Sequence, residues 1–253
     1  MKLGIVDLDT SHPEGWVPIE RELGCEIVGL YDGGSIHHRA YVEDFATQSN
    51  ITRIYDDLEQ MAIDVDVVVI HGCDWDTHVQ KARPFIERNK AVMLDKPIAG
   101  NVSDLRQIVR WAKNGARICG GSSLRYCEET CNFLSQPIEQ RGTPHTAICG
   151  CAVDDFNYGI HAYSHLCGIM GPGIESVRHL GTGGQRRIQV NWGDGRMGIL
   201  IVGKTAVWQP FYTSIITDRT CVQIQVDPSK LYRAILASVG KPPILFLIAG
   251  SVG

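Results

Sequence analysis

The 253-residue sequence predicts a doubly wound α/β domain on a parallel sheet over residues 1–121, followed by an α+β domain with a mostly antiparallel sheet over residues 122–253. Three observations predict this. Apolar strand-like runs alternate with helix-period segments through the first 120 residues, the order that builds a parallel sheet with crossover helices. The run 65–70 is dominated by β-branched residues, as in a strand covered on both faces. After Gly121 short strand-like runs dominate.

In chain order, residues 3–6 (Leu-Gly-Ile-Val) form the first strand and 18–23 an amphipathic helix. Residues 26–31 are the second strand, closed by the turn Asp32-Gly33-Gly34, and 38–47 the second helix. A short strand at 53–55 and a short helix at 57–61 precede the strand 65–70. Residues 77–88 are helical, 91–94 extended, 103–114 helical with Ser103 as N-cap, and 116–120 extended. In the second half, 127–134 and the apolar stretch 159–170 are helices. Strands are expected there at 146–153, 176–182, 187–192, 197–202, 206–210 and 220–226.

Composition bounds the function. Apolar residues make up 44% and charged residues 21%, ordinary for a soluble globular protein. The net charge of −4 and the scattered basic residues argue against nucleic acid and against an anionic membrane as partner. The nine cysteines are odd in number and contain no CxxC, so buried free thiols in a reducing, cytoplasmic setting are expected. Met1-Lys2 leads straight into a strand, without a signal-peptide pattern, and the apolar stretch 244–253 is too short to span a bilayer.

The most informative residue is Lys96, in Asp95-Lys96-Pro97 directly after the 91–94 strand. Ligands of open α/β sheets bind outside the carboxyl ends of the strands, where a fixed lysine can exchange a proton with a substrate. Lys-Pro at an ordinary surface turn is the plainer alternative. The company of Lys96 decides the reading: an amino-terminal strand, an acidic residue (Asp32) closing the second strand, Asp95-Lys96-Pro97, and a later helix carrying His161. This order resembles the glucose–fructose oxidoreductase/inositol dehydrogenase family (Gfo/Idh/MocA), over most of the chain. Asp95-Lys96-Pro97 stands where that family has Glu-Lys-Pro. Residues 70–78 resemble its fourth-strand loop beside the nicotinamide, which implies cofactor contacts for Cys73, His78, Asp95 and Lys96. Arg125-Tyr126 resembles the start of its second domain, and residues 232–243 its closing helix and turn.

The stretch Asn157-Tyr158-Gly159-Ile160-His161 is similar to the family's Asp-x-Gly-x-His. The resemblance implies that Lys96 and His161 handle the proton of one substrate, with Asn157 orienting His161 in place of the usual carboxylate. Arg125, Tyr158 and His165 are the implied substrate contacts. His165 lies one helical turn beyond His161, but no third ligand completes a metal site, so none is expected.

One departure is marked. Asp7, Asp9 and His12 occupy the three glycine positions of a G-x-G-x-x-G fingerprint, which argues against the standard pyrophosphate cradle. Thr10, Ser11 and the following helix start remain as phosphate donors. Asp32 stands where an acid holds the adenosine ribose, so NAD is the expected cofactor, with NADP allowed by the neighbouring His37, His38 and Arg39. Asp7, Asp9 and Asp74 suggest an acidic pocket suited to an amine-bearing substrate or a divalent ion. The resemblance thus implies a Rossmann-like, NAD(P)-dependent oxidoreductase acting on a secondary alcohol or ketone of a sugar, cyclitol or similar small polar molecule. It also implies a homodimer or homotetramer formed through the second-domain sheet. The alternatives are a non-redox isomerase, lyase or hydrolase, or a ligand sensor, on the same scaffold.

Overall fold

The computed structural model describes residues 1–237. The chain divides into two compact units, Met1–Gly121 and Ser122–Ile235.

The first unit runs β1 (Lys2–Val6), α1 (His12–Glu22), β2 (Glu26–Tyr31), α2 (Arg39–Gln48), β3 (Ile54–Tyr55), α3 (Leu58–Asp64), β4 (Val67–Ile70), α4 (His78–Glu87), β5 (Ala91–Leu94), α5 (Val102–Lys113) and β6 (Ile118–Gly120). The strands form one sheet in the order β3-β2-β1-β4-β5-β6, with every pair parallel. The chain leaves β1 toward one edge and returns at β4 toward the other. The carboxyl ends of β1 and β4 therefore form the switch point where a crevice opens in such sheets. All four residues of β4 are fully buried, as their β-branched side chains require when helices cover both faces.

In the first unit, the start of α1 and the cap of α5 differ from expectation. α1 begins at His12 with Pro13 in its first turn, and Pro18 lies inside it. The sequence offers two prolines suited to a first turn, and the earlier one is used. α5 is capped by Asn101, whose Oδ1 accepts from Asp104 N at 2.9 Å, while Ser103 lies within the helix and donates to that same oxygen at 2.7 Å. Asparagine and serine cap comparably, so spacing alone did not separate them. Gly120 is required by close approach. Its φ is 137°, and a Cβ there would lie 1.9 Å from the Leu94 carbonyl oxygen.

The second unit contains α6 (Glu128–Ser135), α7 (Ile138–Arg141), β7 (Pro144–Cys151), α8 (Asp155–Met170), β8 (Ile174–Gly183), β9 (Gln185–Trp192), β10 (Met197–Val202), β11 (Tyr212–Thr217) and β12 (Cys221–Gln225), and α9 (Leu231–Leu236) follows. Its sheet has the order β12-β11-β7-β10-β9-β8, and only the β7–β10 pair is parallel. Ala162, Leu166, Ile169 and Met170 of α8 pack on Ala147, Cys149, Val190, Leu200 and Ile215 of the sheet, forming its core. The expected fold class is the observed one.

The strand expected at 206–210 does not form. Val207 and Trp208 are exposed, and the strand follows at Tyr212–Thr217, where Thr213, Ile215 and Thr217 alternate inward. Apolar content without a period of two misled there, and the period itself marks the true strand. Residues 238–243 of the resemblance to a closing helix and turn, and the apolar stretch 244–253, lie outside the described residues. Among those described, no helix is long and apolar enough to cross a membrane. All nine cysteines are free thiols, and burial pushes Cys119 and Cys149 up to about 12.

Candidate active site at the carboxyl ends of β1, β4 and β5

Lys96 is half-buried two residues beyond β5, and its neighbour Asp95 is buried. One Asp95 oxygen accepts from Lys96 N at 2.6 Å. The other accepts from His71 Nδ1 at 3.2 Å and from His12 Nδ1. Burial alone would raise the Asp95 carboxyl, but these two imidazoles outweigh it and hold it well below the usual carboxylate range. Burial lowers the pKa of His71, against the pull of Asp95. Trp16 of α1 stacks on His12 with ring centroids 4.9 Å apart and meets His71 edge-on at 5.0 Å. His78, buried at the start of α4, reaches the Gly72 carbonyl at 2.9 Å and the Ile98 carbonyl at 3.3 Å. That ring ties the loop after β4 to the turn containing Lys96. The base of Lys96 is therefore braced from three strand ends.

The turn between β1 and α1 answers the missing glycines. Asp7 has φ 65°, the left-handed backbone that the first fingerprint glycine normally supplies. Its side chain is fully buried, 2.6 Å from Lys81 Nζ and 3.1 Å from Gly33 N. Burial pushes its carboxyl up while Lys81 pulls it back. The Asp7 charge is thus matched inside the fold and adds none to the rim. Asp9 accepts from Cys73 N at 2.8 Å and from Ser35 Oγ at 3.2 Å, linking the loops after β4 and β2. Asp74 caps a short turn by accepting from Asp76 N. The three acids therefore take three separate tasks.

Asp32 follows β2, with Oδ2 accepting from Leu8 N at 2.9 Å and Oδ1 from Gly34 N at 2.8 Å. Each carboxylate oxygen carries a second lone pair, which suits a ribose diol. Thr10 Oγ1 accepts from His12 N at 3.2 Å, and Ser11 is the N-cap of α1 without a side-chain cap bond. These residues fit a dinucleotide at the adenosine end and along the α1 start, where helix amides favour an anion.

In the second unit, His161 of α8 is 8% exposed, with Nδ1 2.7 Å from Ser122 Oγ. Tyr158 and Phe211 flank its ring at 5.4 and 5.7 Å. The Asn157 side-chain nitrogen donates to the Asp154 carboxylate, and Asp154 caps α8 through Asn157 N. Arg125 is half-buried, and burial lowers its pKa. His165 is buried, 2.6 Å from Thr130 Oγ1, and burial lowers its pKa to about 4. Its geometry is that of a neutral packing histidine.

His71, Trp16 and Lys81 were missed in the sequence reading. His71 had a usable signal, since it directly follows the most apolar strand of a parallel sheet. Lys81 had none, because its partner lies 74 residues away.

The family model described as "Oxidoreductase family, NAD-binding Rossmann fold" (GFO_IDH_MocA) matches residues 9–120. No curated protein matches the chain in sequence. Among solved structures, apo scyllo-inositol dehydrogenase from Lactobacillus casei is similar over 100% of this chain and 90% of its own, with TM-score 0.79 and 16% identity. UDP-N-acetylglucosamine 3-dehydrogenase from Acidithiobacillus ferrooxidans is similar over 98% and 94%, with TM-score 0.76 and 12% identity. GenD2 from gentamicin A biosynthesis, solved in complex with NAD, is similar over 89% and 72%, with TM-score 0.69 and 18% identity. At these identities the likeness is one of fold. Residues 9–120 thus match the Gfo/Idh/MocA oxidoreductase family model with its NAD-binding Rossmann fold, and the two-sheet architecture is the fold shared with these solved dehydrogenases.

Proposed function

We propose that the protein is an NAD(P)-dependent oxidoreductase that interconverts a secondary alcohol and a ketone on a sugar, cyclitol or similar small polar molecule. The observation that carries this reading is Lys96, braced at the carboxyl end of β5 inside the segment that matches the family. Asp32 would hold the adenosine ribose, and Thr10, Ser11 and the α1 amides the diphosphate. Loop residues Cys73 and His78 would flank the nicotinamide. The bound dinucleotide supplies the hydride acceptor. Lys96 takes the hydroxyl proton as the carbinol hydrogen leaves, and returns it in the reverse direction. Asp32 favours NAD, because a 2′-phosphate would meet its carboxylate. His161 is the second proton-exchanging group of this reading, and Ser122 Oγ fixes its ring. Tyr158 and Arg125 supply polar contacts to the substrate.

The test is steady-state turnover of NAD⁺ or NADP⁺ against a panel of cyclitols, hexoses and nucleotide sugars. Turnover of at least one class is expected, falling on the order of 10²–10⁴-fold in Lys96→Ala with folding intact. Turnover that survives Lys96→Ala unchanged removes the role given to Lys96. A panel inert with both cofactors sets the redox reading aside.

A further inference from the structure

Three side chains of metal-ligating type converge in the first unit from the ends of three adjacent strands. His12 follows β1 at the start of α1, His71 follows β4, and Asp95 follows β5. One ligand-capable atom from each lies within 4.8 Å of the other two. His71 and Asp95 are each 1% exposed, whereas the His12 side chain is 13% exposed. Both imidazoles present Nδ1 to the same carboxylate oxygen, Asp95 Oδ2. The Trp16 indole stacks on His12 within 7° of parallel and meets His71 at 69°, so one apolar wall fixes both rings. The Asp95 oxygen turned away is held by Lys96 N at 2.6 Å. Three ligand-type side chains are thus gathered, with Lys96 N holding the outer carboxylate oxygen and Trp16 holding both rings.

We propose that His12, His71 and Asp95 bind one divalent transition-metal ion of the zinc class. Two imidazoles and one carboxylate suit such an ion better than magnesium or calcium, which prefer oxygen. Three protein ligands leave a coordination position for water or a substrate oxygen, the arrangement of catalytic rather than structural zinc sites. His12 stands in place of the third fingerprint glycine, so the change that removes a dinucleotide feature supplies a ligand. The site does not depend on the redox reading, and its test uses no turnover.

The experiment is a titration of chelator-stripped, full-length protein with Co²⁺, followed in the visible and near-ultraviolet, then displacement by Zn²⁺ with metal counted by elemental analysis. The expected result is one equivalent per chain with visible d–d bands, no thiolate-to-cobalt charge transfer, and displacement by one equivalent of Zn²⁺. His71→Ala and the partly exposed His12→Ala should each weaken binding by about 100-fold or more, with circular dichroism reporting folding. If neither variant folds, the wild-type spectrum decides through its ligand signature. Absence of stoichiometric binding, a thiolate band, or equal binding in a folded variant overturns the proposal and leaves a hydrogen-bonded His–Asp–His cluster.

Discussion

Lys96 and Glu20 illustrate how differently single residues disclose themselves. Asp95-Lys96-Pro97 was readable because a charged residue directly after an apolar strand of a parallel sheet stands at its carboxyl edge. Glu20 was not, since a glutamate in an amphipathic helix ordinarily faces water. Here it is 2% exposed, neither carboxylate oxygen has a hydrogen-bond partner, and burial raises its pKa to about 7 from an ordinary 4.5. An acid raised in the folded state stabilises below the unfolded value, and that stability is lost as pH rises from 4.5 to about 7. The shift corresponds to about 3 kcal/mol. Glu20→Gln should flatten this slope and raise stability above pH 7, as read by urea unfolding at several pH values. Equal slopes in both proteins would show that the carboxyl is hydrated. In the second unit, Thr130→Val should cost about 1–3 kcal/mol, by leaving His165 Nε2 with only the longer, weaker contact to Cys127 Sγ at 3.7 Å. Chemical denaturation of the two proteins checks it, and a loss within error would mean that His165 finds another partner.

Elements were legible where two signals coincided. β4 combines a run of four β-branched residues with Gly72 and Asp74 just beyond its end. Starts and caps were less legible, since Pro13 and Pro18, or Asn101 and Ser103, carry the same local chemistry. Asn101→Ala should therefore cost about 1 kcal/mol and Ser103→Ala clearly less, measured by thermal unfolding. The reverse order would return the cap to Ser103. The β1–α1 turn makes a sharper claim. Asp7→Gly relieves a left-handed non-glycine residue worth about 1 kcal/mol, yet strips Lys81, 14% exposed, of its carboxylate. The single variant should be less stable by about 1–3 kcal/mol, and Asp7→Gly with Lys81→Met should recover most of the loss. A single variant as stable as the parent would show that the pair contributes nothing.

At the scale of the whole molecule, the fold class was readable because alternation of element types is a property of order, and order is what a sequence records. The site was readable only in part. In the first unit, Lys96 and Asp32 announce themselves through neighbours in sequence. The His12–Asp95–His71 cluster and the Asp7–Lys81 pair join residues 83, 24 and 74 positions apart, and no local pattern encodes such distances. The acids at the glycine positions looked like an obstacle to a dinucleotide. The structure buries and neutralises one of them and sets the other to bridging loops, which leaves Asp32 and the α1 start available. We therefore expect the chain to bind a nicotinamide dinucleotide despite Asp7, Asp9 and His12. The most direct measurement is a fluorescence titration of the purified protein with NADH and NADPH, run beside Asp32→Ala. Saturable NADH binding, weaker for NADPH and weakened by Asp32→Ala, is the predicted result; no binding of either nucleotide to folded protein would contradict it.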